Sequence, residues 1–192
     1  ISSSQTDFCH RLCRSFIHHR EDKMPFYKEF IYDENLKKGG KTYIREAVKG
    51  VIVRGKQILM IHSQKNRDYK FPGGGIEGNE SPMETLIREI KEECGAVVSE
   101  IGEKIGTVIE YKKANEPQYD VFKMVSSYYL CQIIEKNTEL KLDPYEQALG
   151  FHPVWVSVSE AMNQNKKILQ TQTANPPKWT RRELFVLEKL NI

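Results

Sequence analysis

The apolar residues of this chain fall into short runs separated by polar turns, which is typical of a protein rich in β-strands. The clearest pattern is a pair of runs at residues 47–53 and 57–62 on either side of the polar triplet 54–56, which predicts a β-hairpin. Weaker runs predict further strands at residues 26–32, 41–45, 69–71, 105–111, 121–134 and 154–156. The first two of these flank a lysine–glycine–glycine turn, so the N-terminal part of the chain is also expected to contribute strands.

The strongest helix prediction covers residues 82–94. Ser81 is a preferred N-cap residue, Pro82 suits the first helical position, and Glu84 completes a capping box with Ser81. Gly95 follows the last apolar position and is expected to end the helix. Both ends of this helix are therefore specified locally.

Three further helices are expected. One covers residues 159–169 after a loop at residues 137–153, and the last begins at a second capping box, Thr180 with Glu183, and runs to about residue 190. An amphipathic helix is also expected at residues 5–19. Strands and helices do not alternate regularly, which favours an α/β (α+β) fold with an α/β/α layering over a doubly wound sheet. We expect one domain at residues 46–192, with residues 1–45 as an extension packed on it.

Composition excludes several classes of protein. The chain has 192 residues, of which 39% are hydrophobic and 29% charged, a composition typical of folded globular proteins. No apolar run approaches the roughly 18–20 residues of a membrane span and no signal peptide is expected, so we predict a cytoplasmic location without membrane contact. A net charge of +3 does not indicate a nucleic-acid partner. Cys9 and Cys13, with the histidines near them, fit no common zinc spacing.

Acidic residues are concentrated in residues 74–96, where six glutamates accompany two basic residues. On a helix over residues 82–94, Glu89, Glu92 and Glu93 share an arc of about 100°. This arc flanks a stripe that we expect to be buried, formed by Met83, Leu86, Ile87, Ile90 and Cys94. Three carboxylates on one arc repel one another, and a divalent cation such as Mg²⁺ or Mn²⁺ would remove that cost. The alternative is an ordinary solvated acidic face.

The spacing of these residues distinguishes the two interpretations. The segment reads Gly74-x5-Glu80-x7-Arg88-Glu89-Ile90-x-Glu92-Glu93-x-Gly95-Ala96. This pattern resembles the Nudix box of the Nudix (MutT-related) hydrolases at eight of its nine defined positions. The departure is Ala96, where the family has a bulky aliphatic residue; it concerns packing after the helix and not chemistry. The resemblance implies a Nudix-type α/β/α sandwich with a mixed sheet and a loop–helix–loop metal site.

The resemblance also implies the metal ligands. Glu89, Glu92 and Glu93 would hold one to three Mg²⁺ or Mn²⁺ ions, and the carbonyl oxygen of Gly74 would be a further ligand. The reaction implied is the attack of water on a phosphorus atom of a nucleoside diphosphate linked to another moiety. One of these glutamates, or a carboxylate outside the box, would act as general base.

Other site residues follow from the same resemblance. Arg88 and Glu80 would orient the loop and the catalytic glutamates. For the base or ligand outside the box we choose Glu146 over Glu139 and Asp143, with an ordinary exposed loop acid as the alternative.

Phosphate contacts are expected from the glycine loop and from the residue that precedes it. Gly73, Gly74 and Gly75 offer backbone groups that a phosphate can approach closely, and Lys70 could contact the same phosphate. Trp155 could stack on a base, although a tryptophan on a central strand more often belongs to the core.

The sequence narrows the substrate only to a class. Lys112 stands where ADP-ribose branches of the family often have a proline, which leaves a nucleoside triphosphate, including an oxidised one, or a nucleotide sugar. For the oligomeric state, both a monomer and a homodimer are compatible with the sequence. The alternative function is a non-catalytic nucleotide-binding sensor or scaffold, which intact metal positions disfavour.

Overall fold

A computed structural model describes residues 25–135, 138–171 and 176–190. The predicted helix at residues 5–19 and the cluster around Cys9 and Cys13 lie outside these residues. The described strands are β1 (Phe26–Ile31), β2 (Thr42–Arg54), β3 (Gln57–Ser63), β4 (Tyr69–Lys70), β5 (Ala96–Lys113), β6 (Val121–Glu135) and β7 (Phe151–Ser157). The described helices are α1 (Pro82–Cys94), α2 (Pro144–Leu149), α3 (Val158–Thr171) and α4 (Lys178–Lys189).

The strands form one mixed sheet in the order β1-β5-β6-β2-β3-β4, with β7 paired to β3. β1 runs parallel to β5 and β2 parallel to β6, whereas the β2–β3, β3–β4, β3–β7 and β5–β6 pairs are antiparallel. The predicted hairpin at residues 47–62 is confirmed, because β2 and β3 pair directly across their short turn.

Helices cover both faces of this sheet. Successive strand residues point to opposite faces. On β2, Val48 and Ile52 pack with Leu86 and Ile90 of α1 on one face, whereas Val51 lies in the core cluster that includes α3 and α4 residues on the other. The α+β class and the layered arrangement are therefore confirmed.

Some predicted elements differ from those observed. The strands predicted at residues 41–45 and 47–53 are one continuous strand that begins at Thr42, because β2 pairs with β6 without interruption from Thr42 to Ile52. The predicted loop at residues 137–153 contains helix α2 and the first residues of β7. Asp143 caps α2 through a capping box with Glu146, so the same signature that predicted α1 was present here too.

The predicted start of the last helix is wrong. Helix α4 begins after Pro177, and Thr180 lies buried within it and donates its hydroxyl proton to Asp68 Oδ2 at 2.9 Å. Glu183 is buried and accepts from Arg182. These two side chains therefore contact the core instead of capping one another. No helix among the described residues is long and apolar enough to cross a membrane.

Candidate active site

Helix α1 is fixed at both ends by its own sequence. The Ser81 hydroxyl accepts from the Glu84 backbone N–H at 3.3 Å, and the Glu84 carboxylate accepts from the Ser81 N–H at 2.8 Å, which completes the predicted capping box. Gly95 ends the helix in the left-handed conformation, at φ 63°. The predicted boundaries are confirmed, so the positions of the box glutamates on the helix are known.

The buried face of α1 differs from the predicted stripe. Its buried residues are Thr85, Leu86, Ile90 and Glu93. The predicted core residues Met83 and Ile87 are 37% and 45% exposed, and Cys94 is only half-buried. The buried face is thus turned toward the carboxylates, because Glu93 finds polar partners inside the protein.

The glycine loop runs alongside β2 and is hydrogen-bonded to it. The Gly50 N–H donates to the Pro72 carbonyl at 2.9 Å, and the Val48 N–H donates to the Gly74 carbonyl at 3.0 Å. Gly73 has φ 125°, and a side chain there would collide with the Val48 carbonyl. The loop therefore holds a close approach to the strand that only glycine permits.

Glu93 is the centre of the buried charges. Its Oε1 accepts from the Lys70 ammonium at 2.6 Å and its Oε2 accepts from the Gly73 N–H at 2.7 Å. Burial alone would raise the pKa of Glu93, but the charges of Lys70 and Lys49 and these hydrogen bonds lower it below its usual value. Glu93 is therefore ionised in the interior, as a cation ligand must be.

Lys49 is a site residue that the sequence reasoning missed. It lies buried on β2, and its ammonium donates to the carbonyl of Gly73. Burial and then the charge of Lys70 lower the pKa of Lys49 to about 8. The sequence signal that could have indicated this role is a lysine in the middle of the apolar run at residues 47–53.

Arg88 connects the other carboxylates of the box. Its Nε and Nη2 donate to the two oxygens of Glu80 at 2.7 and 2.9 Å, and its Nη1 donates to Glu89 at 2.8 Å and to Glu92 at 3.2 Å. Thr85 also donates to Glu80, at 2.9 Å. The structure thus brings Arg88 and Glu80 together with Glu89 and Glu92, two of the predicted metal ligands.

Glu89 and Glu146 both have raised pKa values. Burial and then the charge of Glu93 raise the pKa of Glu89, and the same two causes raise the pKa of Glu146 to about 7. Glu146 lies on α2, and its Oε1 is 3.5 Å from the Lys70 ammonium. A carboxylate that titrates near neutral pH can accept a proton in a reaction. Glu146 therefore lies beside the box and is not an ordinary exposed loop acid.

Trp155, the candidate for base stacking, and two other aromatic residues, Phe151 and Tyr145, lie in different surroundings. Trp155 donates to Glu135 at 2.6 Å, and the Arg54 guanidinium lies 3.9 Å from its ring centroid. Phe151 is buried under the Lys70 ammonium, 4.5 Å away, whereas Tyr145 is 58% exposed. Trp155 and Phe151 thus have polar partners of their own within the chain.

The donor set of this site suits a hard divalent cation. It consists of carboxylate oxygens and the Gly74 carbonyl. A bound cation would also stabilise the ionised form of Glu89 and Glu146, whose pKa values are raised. Gly74 has no room for a side chain, because the Glu89 carboxylate lies against it. Within residues 25–135, 138–171 and 176–190, however, no group of three or more His, Cys, Asp or Glu side chains stands ready to hold a metal. Instead, the carboxylates form ion pairs with Arg88 and Lys70.

Comparison with known proteins identifies a family model that matches most of the chain and relatives that match a smaller part of it. Residues 44–177 match the model of the NUDIX domain. The chain is 41% identical over 64 residues to "Nudix hydrolase 4" of Arabidopsis thaliana, which covers 33% of this chain and 30% of the relative. It is 37% identical over 78 residues to "ADP-ribose pyrophosphatase" of Methanocaldococcus jannaschii, which covers 38% of this chain and 45% of the relative. The chain thus spans less than half the length of these two relatives.

Solved structures of other proteins share this fold. The MutT NUDIX hydrolase from Burkholderia pseudomallei matches with a TM-score of 0.52 at 19% identity, over 78% of this chain and 99% of the other. At this identity the likeness concerns the fold alone.

Proposed function

The chain belongs to the NUDIX family, and on this premise we propose that it is a metal-dependent hydrolase that cleaves a phosphoanhydride bond in a nucleoside diphosphate linked to another moiety. The observation that carries the proposal is the set of box glutamates, which are all present and held in place by specific partners. Glu93 is buried and ionised, and Arg88 holds Glu89 and Glu92 on the same helix face. A solvated acidic face would have no such partners.

Glu89, Glu92, Glu93 and the Gly74 carbonyl would hold Mg²⁺ or Mn²⁺. The bound metal would supply charge stabilisation at the phosphate and would lower the pKa of water. The Gly74 carbonyl already accepts from Val48 at 3.0 Å and keeps a second lone pair for a cation.

The remaining site residues would position the reacting groups. Arg88 would keep Glu89 and Glu92 aligned while it is itself fixed by Glu80 through two parallel hydrogen bonds. Glu146 is the candidate general base, because it lies within the buried group of charges but outside the box. Gly73, Gly74 and Gly75, together with Lys70, stay predicted phosphate contacts.

The substrate class is drawn from the relatives and from the sequence. The name of the M. jannaschii relative contains ADP-ribose, a nucleoside diphosphate linked to a sugar. Lys112 disfavours that particular substrate, so nucleoside triphosphates, oxidised ones included, and nucleotide sugars come first. We expect such a nucleotide as the small-molecule substrate of the site and a cytoplasmic location for the protein.

The test is a panel of nucleoside triphosphates, oxidised nucleotides, nucleotide sugars and ADP-ribose, with hydrolysis measured by chromatography of the nucleotide products. We expect turnover of at least one compound with Mg²⁺ or Mn²⁺ and its loss in excess EDTA, restored by adding the metal back. Full turnover after metal stripping would contradict metal dependence. Tight binding of a nucleotide with no turnover would instead favour the sensor or scaffold.

A further inference from the structure

The ammonium of Lys70 is held between carboxylates from two different helices. It lies 2.6 Å from Glu93 Oε1 on α1 and 3.5 Å from Glu146 Oε1 on α2. The Lys70 side chain is only 12% exposed, and the ring of Phe151 lies against the ammonium at 4.5 Å from its centroid. Lys70 is thus an internal cation and not a solvated surface lysine.

This position has an electrostatic cause. Glu93 is 1% exposed and Glu146 is 16% exposed in its side chain, so two negative charges lie close together away from water. Two such carboxylates are stable only with a cation between them or with one of them protonated. The Lys70 ammonium supplies that cation from within the chain.

Lys49 does not share this arrangement. Its ammonium is also buried near Glu93, but it donates to the Gly73 carbonyl and forms no ion pair with a carboxylate among the described residues. Lys70 is therefore the lysine whose bonds a cation at Glu93 and Glu146 would have to replace.

We propose that Lys70 is an internal counter-ion that a divalent metal displaces from Glu93 and Glu146, so that Lys70 limits the metal affinity of the site. The inference rests on the proposed function only in that the site binds a metal. Its physical basis is competition. When only a fraction of the protein is in the binding-competent state, the apparent affinity for the ligand is reduced by that fraction. A carboxylate held by Lys70 is not competent to hold a metal ion through the same oxygen.

The test measures Mn²⁺ binding without nucleotide, by calorimetry and by the electron paramagnetic resonance signal of free Mn²⁺. We expect Lys70→Met to tighten Mn²⁺ binding by about tenfold or more, because the competing cation is gone while the apolar stem is kept. Lys70→Arg keeps a cation at the carboxylates and should bind Mn²⁺ no more tightly than the wild-type protein. Lys70→Gln serves as a second neutral variant, should Lys70→Met fail to fold.

Lys91→Met is the matched control for bulk charge. Lys91 lies on the same helix as Glu93 but is exposed, and its ammonium forms no ion pair among the described residues. Removing it should leave Mn²⁺ affinity within about twofold of wild type, as expected for a screened surface charge. An equal gain in Lys70→Met and Lys91→Met would overturn the counter-ion role in favour of bulk charge.

A second measurement uses the unmodified protein. Lysine Nζ signals in nitrogen-15 nuclear magnetic resonance report whether an ammonium is shielded from exchange with water. On titration with Mg²⁺, we expect the Lys70 ammonium to exchange faster while the Lys49 ammonium, bonded to the Gly73 carbonyl, keeps its protection. A Lys70 signal that stays protected at saturating Mg²⁺ would overturn the proposal.

The outcomes separate this inference from the proposed function. If wild-type protein binds no Mn²⁺ and Lys70→Met binds none either, both the metal-dependent function and the counter-ion role are contradicted. If wild type binds Mn²⁺ and Lys70→Met binds it equally, only the counter-ion role fails. If Lys70→Met also shows a raised KM with unchanged Mn²⁺ affinity, Lys70 contacts phosphate instead.

Discussion

Among single residues, Glu80 accepts two hydrogen bonds from Arg88 and has a lowered pKa. Its hydrogen bonds from Arg88, and then from Thr85, lower its pKa from the ordinary 4.5 to about 2. A carboxylate whose pKa is lower in the folded protein than in the unfolded chain stabilises the fold above the unfolded value. This stabilisation is lost as the pH falls from about 4.5 toward about 2.

We therefore expect Glu80→Gln to lower the free energy of unfolding at pH 7 and the difference from wild type to shrink between pH 4.5 and 2. Urea unfolding across this pH range measures it. Glu77→Gln is the control, since Glu77 is exposed in the same loop and its side chain forms no ion pair among the described residues. A Glu80→Gln deficit that is the same at pH 7 and pH 2 would contradict the assigned ion pair.

The sequence predicted which residues form the candidate site better than it predicted which of them are buried. The spacing named Glu89, Glu92, Glu93, Arg88 and Glu80. The structure joins Arg88 to Glu80, Glu89 and Glu92, whereas Glu93 on the same helix pairs with Lys70. It did not predict that Glu93 is buried, because helical periodicity places a charged residue on the solvent side by default. The lysines that make burial possible come from β2 and β4, far away in the chain.

At the scale of elements, the contact between the glycine loop and α1 decides how Glu89 is placed. A side chain at Gly74 would collide with the Glu89 carboxylate, which is the far end of a flexible side chain. Gly74 does not have a positive φ, so the backbone itself would tolerate alanine. Gly78, in contrast, has φ 52° but has open space around it.

Gly74→Ala should therefore lower kcat by about tenfold or more with little loss of stability, because a displaced catalytic group is costly even when it moves by about 1 Å. Gly78→Ala should show the reverse, a loss of roughly 1 kcal/mol in stability from the left-handed backbone with kcat nearly unchanged. Steady-state kinetics and urea unfolding of both variants measure this. A Gly74→Ala enzyme with wild-type kcat would mean that Glu89 does not act where the structure places it.

Local signatures account for which elements were predicted well. The cap residues of α1 are adjacent in sequence, so its start and end were both predicted and confirmed. The same signature is present at Asp143 and Glu146, where the apolar pattern predicts a loop and the structure has helix α2. At α4 the signature misled, because Thr180 and Glu183 find partners in the core that are unknown from sequence.

At the scale of the whole molecule, a buried ion network joins the last helix to the sheet. Arg182 on α4 donates to Glu110 on β5 at 2.5 Å and to Glu183 at 2.7 Å, and all three are buried. Tyr32 also donates to Glu110, at 2.7 Å. The C-terminal helix is thus held by charges that would be unstable without their partner.

Arg182→Met should lower the free energy of unfolding by about 3–5 kcal/mol, because it leaves two buried carboxylates without a cation. Arg181→Met removes an exposed arginine from the same helix and should change it by less than about 0.5 kcal/mol. Adding Glu110→Gln and Glu183→Gln to Arg182→Met should recover much of the loss. A small effect of Arg182→Met alone, measured by urea unfolding, would contradict the network.

For the overall topology, the sequence predicted the fold class but not the pairing of the strands. Mixed strands and helices indicated layers, and the structure confirms a mixed sheet with helices on both faces. The parallel pairing of β1 with β5 and of β2 with β6 joins segments distant in sequence, for which periodicity gives no register. The division at residues 45 and 46 stays a prediction, although β2 crosses it as one strand.

The central claim is that particular glutamates of this segment, and not its overall negative charge, perform the hydrolysis. The most direct test compares kcat of Glu93→Gln and Glu77→Gln with the best substrate at saturating Mg²⁺. Glu93 is buried and paired with Lys70, whereas Glu77 is exposed in the loop. We predict that Glu93→Gln loses at least about 10²-fold in kcat and that Glu77→Gln changes it by only a few-fold. Equal losses in the two variants, or no loss in either, would contradict the claim.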